Sequence, residues 1–277
     1  MSVGEHAFLG FLLLGIVVAF FGLALPGYKL IRKIWPESGW NLGGSVSTSA
    51  IRAFDLLVLV GLCVLYFTVW KGYPDSAEKI LEATPELFLS SSLSMLVLAS
   101  LVPLLLFWRV NLAEFFGLRW LEWRKVIWIA PVFVVVVFLL NIVLYFTGWQ
   151  EWVQVRFGSD AQDTVQLLTK TDDWWLIGAA AFSAVIAAPI AEEVIFRGYI
   201  YPVVKCFSEK WFAALFSGFL FGVVHFNLMS FPILVLMGIG FVILYEWTGS
   251  LWPSIACHLL FNATTISIIL LGRLAGA

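Results

Sequence analysis

PIAEEVIFRG, residues 189–198, places Glu192, Glu193 and Arg197 among Ala, Ile, Val and Phe. One charged side chain at the centre of a bilayer helix costs roughly 2.5–3.5 kcal/mol, so three cost on the order of 7–10 kcal/mol before any pairing. That sum rivals the stability of a whole domain. The surroundings decide whether the cost is real. The chain is 61% hydrophobic and 12% charged, about half the charged fraction of ordinary soluble domains. Lipid is the solvent this composition fits. The expected fold is all-α, a single polytopic membrane domain over 1–277.

Apolar runs of about 20 residues cross a bilayer as helices, because every backbone N–H and C=O must be satisfied inside the segment. About eight such runs are expected: 7–25, 53–70, 87–108, 126–148, 174–196, 211–229, 230–246 and 252–271. The first has Glu5 and His6 but no Lys or Arg before it, and reads as a retained span rather than a signal peptide. Pro189, Pro232 and Pro253 are positions where helices should kink or break. Trp70, Trp108, Trp149, Trp174, Trp175, Trp211, Trp247 and Trp252 fall at span ends, as an interfacial belt requires. The loop 150–173 reads as a plain connector in preference to a small cap. No internal repeat is visible.

Lys and Arg in the loops orient the bundle. Lys29, Arg32, Lys33, Arg52, Arg109, Arg119, Arg124, Lys125, Lys205 and Lys210 fall on one side; Lys71, Lys79, Arg156, Lys170 and Arg273 fall on the other. The first side is expected in the cytoplasm, and a multi-pass protein of the cell membrane is expected. A net charge of −2 argues against a nucleic-acid partner. Cys63, Cys206 and Cys257 share no spacing and read as small buried hydrophobes.

Few ionisable residues lie well inside the spans: Glu192, Glu193, Arg197, His225 and His258, with Asp55 near a span end. Glu193 and Arg197 are four apart on one helix face, acid first, the favourable order for an ion pair. Glu192 is turned about 100° from that face and keeps a free carboxyl, the candidate general base. Phe221 and His225 share a face, and so do His258 and Asn262. Lys205 to Glu192, Lys210 to His225 and Glu246 to His258 are each about 12–15 residues, or roughly 18–23 Å of helix. Three helices can therefore bring these groups to one depth. A carboxylate and one imidazole can activate a water, while the other imidazole and the Asn262 amide can donate to an oxyanion. That is equipment for hydrolysing an acyl group, most naturally a peptide bond.

Glu192-Glu193 to Arg197, Phe221 to His225 and His258 to Asn262, in this order on separate spans, resemble the CPBP family. That family joins CAAX proteases, including type II CAAX prenyl endopeptidases, with bacteriocin-processing, Abi-type proteins. "WTGSLWPSIACH" (247–258) is similar to the family as well. The resemblance covers 174–271 as a catalytic core, with 1–173 as preceding helices. It implies that Glu192 and His225 activate water, that His258 and Asn262 stabilise the oxyanion, and that Glu193 and Arg197 hold the site in shape. It implies a peptide or lipidated CAAX-type protein as substrate. No cofactor is certain from these residues. Zinc stays open, since two His and a Glu can bind it, although the H-E-x-x-H arrangement of zincins is absent.

Two other classes of function compete. A proton- or ion-coupled carrier also keeps buried Glu, Arg and His. A catalytically silent immunity or scaffold protein of Abi type needs none of them to turn over. Rhomboid-type and aspartyl-type proteases fit poorly: Ser217-Gly218 lacks the G-x-S-G setting, and the stretch at Gly238 lacks an Asp. The residues do not settle oligomeric state.

Overall fold

The computed structural model describes residues 44–71, 83–120, 122–157 and 163–275. The expected span 7–25 and the basic residues Lys29, Arg32, Lys33 and Lys79 lie outside the described residues. Among the described residues the chain is all-α. The helices are α1 (Ala53–Lys71), α2 (Pro85–Leu106), α3 (Val126–Phe146), α4 (Trp149–Phe157), α5 (Asp163–Lys170), α6 (Trp174–Phe207), α7 (Lys210–Val223), α8 (Phe231–Thr248) and α9 (Leu251–Leu274).

Five stretches, α2, Trp123–Phe146 around α3, α6, α8 and α9, are long and apolar enough to cross a membrane; Ala53–Val64 within α1 and all of α7 are shorter apolar helices. The count of about eight spans is not confirmed among the described residues: the one expected at 7–25 lies outside them, and α1 as a whole runs 19 residues. The largest correction concerns 174–196 and 211–229. The first extends to Phe207, because its prolines are absorbed without a break. The second stops at Val223 and gives way to a turn in which Phe226 adopts a left-handed φ of 47°. His225 thus stands on the turn after a helix, not inside one. Asn227 supports that turn by accepting the Ser230 N–H at 2.9 Å.

The outer surface is apolar. Trp108, Val132, Phe146, Trp175 and Leu271 are all exposed, which suits a lipid surround better than water. Residues 150–173 also depart from the connector reading. They hold α4 and α5, whose Leu167 and Leu168 pack with Leu176, Ile177, Ala180 and Ile266. Arg273 Nη1 donates to the Leu168 carbonyl at 2.8 Å and fastens this layer to α9. At the other end, Asp55 is fully buried. It accepts Arg109 Nη1 at 2.7 Å, Tyr199 Oη at 2.7 Å and the Arg52 N–H at 2.6 Å. Lys205 is buried against Glu246 and the Val46 carbonyl. Arg52, Arg109 and Lys205, expected on one side, are thereby tied into a single region. The three cysteines are unpaired.

The tightest helix contact is α7 on α8, and it is made by two glycines. A Cβ on Gly238 would lie 2.7 Å from the Gly218 Cα, and one on Gly218 would lie 2.9 Å from the Val235 carbonyl oxygen. Small residues let backbones approach where lipid supplies no hydrophobic drive between helices. Gly272, by contrast, faces open space. G238A is expected to destabilise the purified protein by about 1–3 kcal/mol through overpacking. G272A is expected to stabilise it by about 0.4–1 kcal/mol through lost chain entropy. Melting midpoints in one detergent check this, and equal shifts for the two variants contradict it.

Candidate active site

The two glutamates sit on a short α-helical stretch, Ala188–Ile195, between two π turns of α6, Ser183–Ala187 and Phe196–Ile200. Each π turn ends two residues before a proline, Pro189 and Pro202. The cause is covalent. Proline has no N–H and its ring collides with the carbonyl four residues back, here Val185 and Gly198. Widening the turn to i→i−5 relieves both problems without ending the helix. Accordingly the Ala188 N–H reaches the Ser183 carbonyl, and the Tyr201 N–H reaches that of Phe196.

Glu193 points into the bundle and is fully buried, as is Arg197. Arg197 Nη1 donates to Glu193 Oε1 at 3.0 Å, and Arg197 Nη2 donates to the Gly238 carbonyl at 3.0 Å. The guanidinium carbon lies 4.5 Å from the ring centre of Phe221 and 4.8 Å from that of Phe241. Ring faces carry the negative end of the aromatic quadrupole and stabilise a desolvated cation. The expected Glu193–Arg197 pair is present, and α8 supplies the rest of its surroundings.

His258, on α9, donates from Nδ1 to the same Glu193 Oε1 at 3.0 Å. Its ring stacks on Phe241 with centroids 4.9 Å apart. His225 donates from Nδ1 to the Phe221 carbonyl at 2.7 Å. That carbonyl is one of those a helix leaves unsatisfied at its C-terminus, so the ring caps α7. Because both Nδ1 atoms donate, each ring turns its Nε2 away from its anchor. Both Nε2 atoms stand near one atom, Glu192 Oε2: His258 at 3.8 Å and His225 at 3.9 Å. These gaps exceed a direct hydrogen bond and suit groups that meet through a shared water or a reacting atom. His225, with its side chain 21% exposed, is the most open member of the group.

Five of the six expected residues, Glu192, Glu193, Arg197, His225 and His258, converge. Asn262 has a different partner: its Nδ2 donates to the Ala184 carbonyl at 2.7 Å. Its expected pairing with His258 at an oxyanion is not what engages it here. The sequence reading passed over Gly238, whose carbonyl anchors Arg197, and Phe241, which carries both Arg197 and His258. Their three-residue spacing on α8 is the signal that could have found them. Phe221, read as packing beside the site, touches the His225 ring at 4.7 Å and the His258 ring at 5.7 Å between centroids.

Among the described residues no group of three or more His, Cys, Asp or Glu side chains is arranged to hold a metal ion. What the arrangement offers is a carboxylate oxygen able to take a proton, two imidazoles beside it, and a carboxylate already committed to two donors. R197M strips Glu193 of its buried cation and is expected to destabilise the protein by about 3–5 kcal/mol. E192Q, at a carboxyl with no hydrogen-bonded partner to lose, should melt near the parent temperature. Thermal melts of both variants check this; comparable losses would contradict the division of roles between the two glutamates.

Residues 173–264 match the family described as type II CAAX prenyl endopeptidase Rce1-like. The chain is also 36% identical over 81 residues to a Bacillus subtilis (strain 168) protein named "Putative membrane peptidase YdiL". That match takes in 29% of this chain and 33% of the relative, so the chain spans about a third of the length of the curated relative it matches. No solved structure matches. Glu192 through Asn262 lie wholly within residues 173–264, so the likeness of this chain to the Rce1-like type II CAAX prenyl endopeptidases takes in all six of these residues.

Proposed function

We propose that the protein is an intramembrane endopeptidase that hydrolyses a peptide bond of a membrane-associated substrate with water activated at Glu192. The observation that carries this reading is the approach of two imidazole Nε2 atoms to one Glu192 oxygen, at 3.8 and 3.9 Å. The match of residues 173–264 to the Rce1-like family supports it, and so does the likeness to a Bacillus protein named as a membrane peptidase.

The charges also balance. With Arg197 cationic and Glu193 anionic, the cluster is neutral when Glu192, His225 and His258 together hold one dissociable proton. A low-dielectric interior favours that count. With the proton on His258, an imidazolium is held between Glu193 and an ionised Glu192. Glu192 takes one proton from a water steered by His225 Nε2. The water oxygen bonds to the scissile carbonyl carbon, and the carbonyl oxygen, now an oxyanion, accepts a hydrogen bond from His258 Nε2–H. The tetrahedral adduct collapses, the C–N bond breaks, and Glu192 returns its proton to the leaving amine. Arg197 and Glu193 keep the His258 ring in place throughout, as the buried carboxylate of a Ser-His-Asp triad does for its histidine.

The substrate is read as a lipidated CAAX-type protein or another membrane peptide entering from the cytoplasmic face. A small apolar cleft of about 20 Å³ lies beside the site. It is lined by Val224 and Phe226, on either side of His225, and by Ile195, Phe196, Leu62 and Leu98 among others.

Purified protein in detergent, given a panel of prenylated and unmodified membrane peptides, is expected to release a defined pair of products seen by mass spectrometry. E192Q should lower the rate by about 10²–10⁴-fold while melting like the parent. Cleavage by E192Q at the parental rate would overturn the role of Glu192. Flux of an ion in liposomes with no new peptide termini would overturn the peptidase reading.

A further inference from the structure

We propose that Asn262 is a positioning residue that supplies the hydrogen-bond donor Pro189 lacks, and so fixes the turn that aims Glu192. This rests on the peptidase reading only for its consequence in catalysis. In the first π turn of α6 the Ala188 N–H is taken by the Ser183 carbonyl. The same register assigns the Ala184 carbonyl to the N–H of residue 189, which is proline and has none. A carbonyl left without a donor inside an apolar bundle is costly, because it has given up its bonds to water and gained none in return. Asn262 Nδ2 donates to this oxygen, at 2.7 Å.

One turn away on the same face of α9, His258 donates to Glu193. The two bonds pin α6 at Ala184 and at Glu193. Glu192, on the short α-helical stretch Ala188–Ile195, lies between these two pins. Its rotation about the helix axis is thereby set from α9. A carboxamide suits the task because it donates at the length and angle of the peptide N–H it replaces.

A cycle of N262L, P189A and the double variant tests the idea. Leucine keeps the shape of asparagine and removes the donor, while alanine at 189 restores the backbone N–H. N262L is expected to lower kcat about 10²-fold by misplacing Glu192, with KM little changed. In the P189A background the same N262L change should cost little kcat, because the alanine N–H already serves the Ala184 carbonyl. Melting midpoints of the same four proteins should be non-additive in the same sense. If N262L is as inactive with alanine at 189 as with proline, and the melts add, Asn262 acts elsewhere and the proposal falls. If no protein in the cycle, parent included, cleaves any peptide, the peptidase reading fails. The thermal cycle then decides the Asn262–Pro189 link by itself, non-additive melts supporting it and additive melts overturning it.

Discussion

Everything at this site depends on a single buried oxygen, Glu193 Oε1, which accepts both Arg197 Nη1 and His258 Nδ1 at 3.0 Å. Neither charged partner is tolerable alone in an apolar bundle. Together, and with the Phe221 and Phe241 ring faces against the guanidinium, they form a compact unit in which each charge has an opposite neighbour. The unit ties three elements: α6 through Glu193 and Arg197, α8 through the Gly238 carbonyl, and α9 through His258. Because Glu193 absorbs both donors, Glu192 on the adjacent face keeps an uncommitted carboxyl beside two imidazoles. Adjacent residues with the same side chain thus do opposite jobs. The helix rotation of about 100° per residue is what separates them.

The prolines of α6 explain why that carboxyl is aimed as it is. A proline inside a helix ordinarily forces a kink or an end. Here each is preceded by a π turn, so the helix continues to Phe207 while the short segment between the turns is rotated against both flanks. Such widened turns are stable only where the freed carbonyls find other donors. Ala184 finds one in Asn262. The glycine contact between α7 and α8 serves the same end from the opposite side, bringing the Gly238 carbonyl within reach of Arg197.

Much of this was legible in the residues. Hydropathy located the described spans to within a few residues at most ends, because lipid demands uninterrupted apolar helix and little else. The four-residue step from Glu193 to Arg197 read directly as an ion pair, since helical neighbours at that spacing share a face. The failures have separate causes. Depth counted along straight helices cannot register a π turn, which inserts a residue without changing composition. The end of α7 at Val223 was hidden because the turn beyond it stays apolar, with Phe226 in a left-handed conformation that no glycine announces. Asn262 looked like a ligand for the reaction because its four-residue step from His258 was visible. The orphaned carbonyl it answers, made by a proline on another helix, was not. Gly238 was invisible as a partner for a different reason: it acts through its backbone oxygen, and any residue small enough for the contact would present the same atom.

The most direct measurement of the central claim is a single turnover in water enriched in oxygen-18, with products and protein analysed by mass spectrometry. If Glu192 activates a water held with His225 and His258, one heavy oxygen appears in the new C-terminal carboxyl of the product and none in the Glu192 side chain. Heavy oxygen in Glu192 after that first turnover would show that the carboxylate attacks the substrate itself, and the account of a free carboxyl working through water would be wrong.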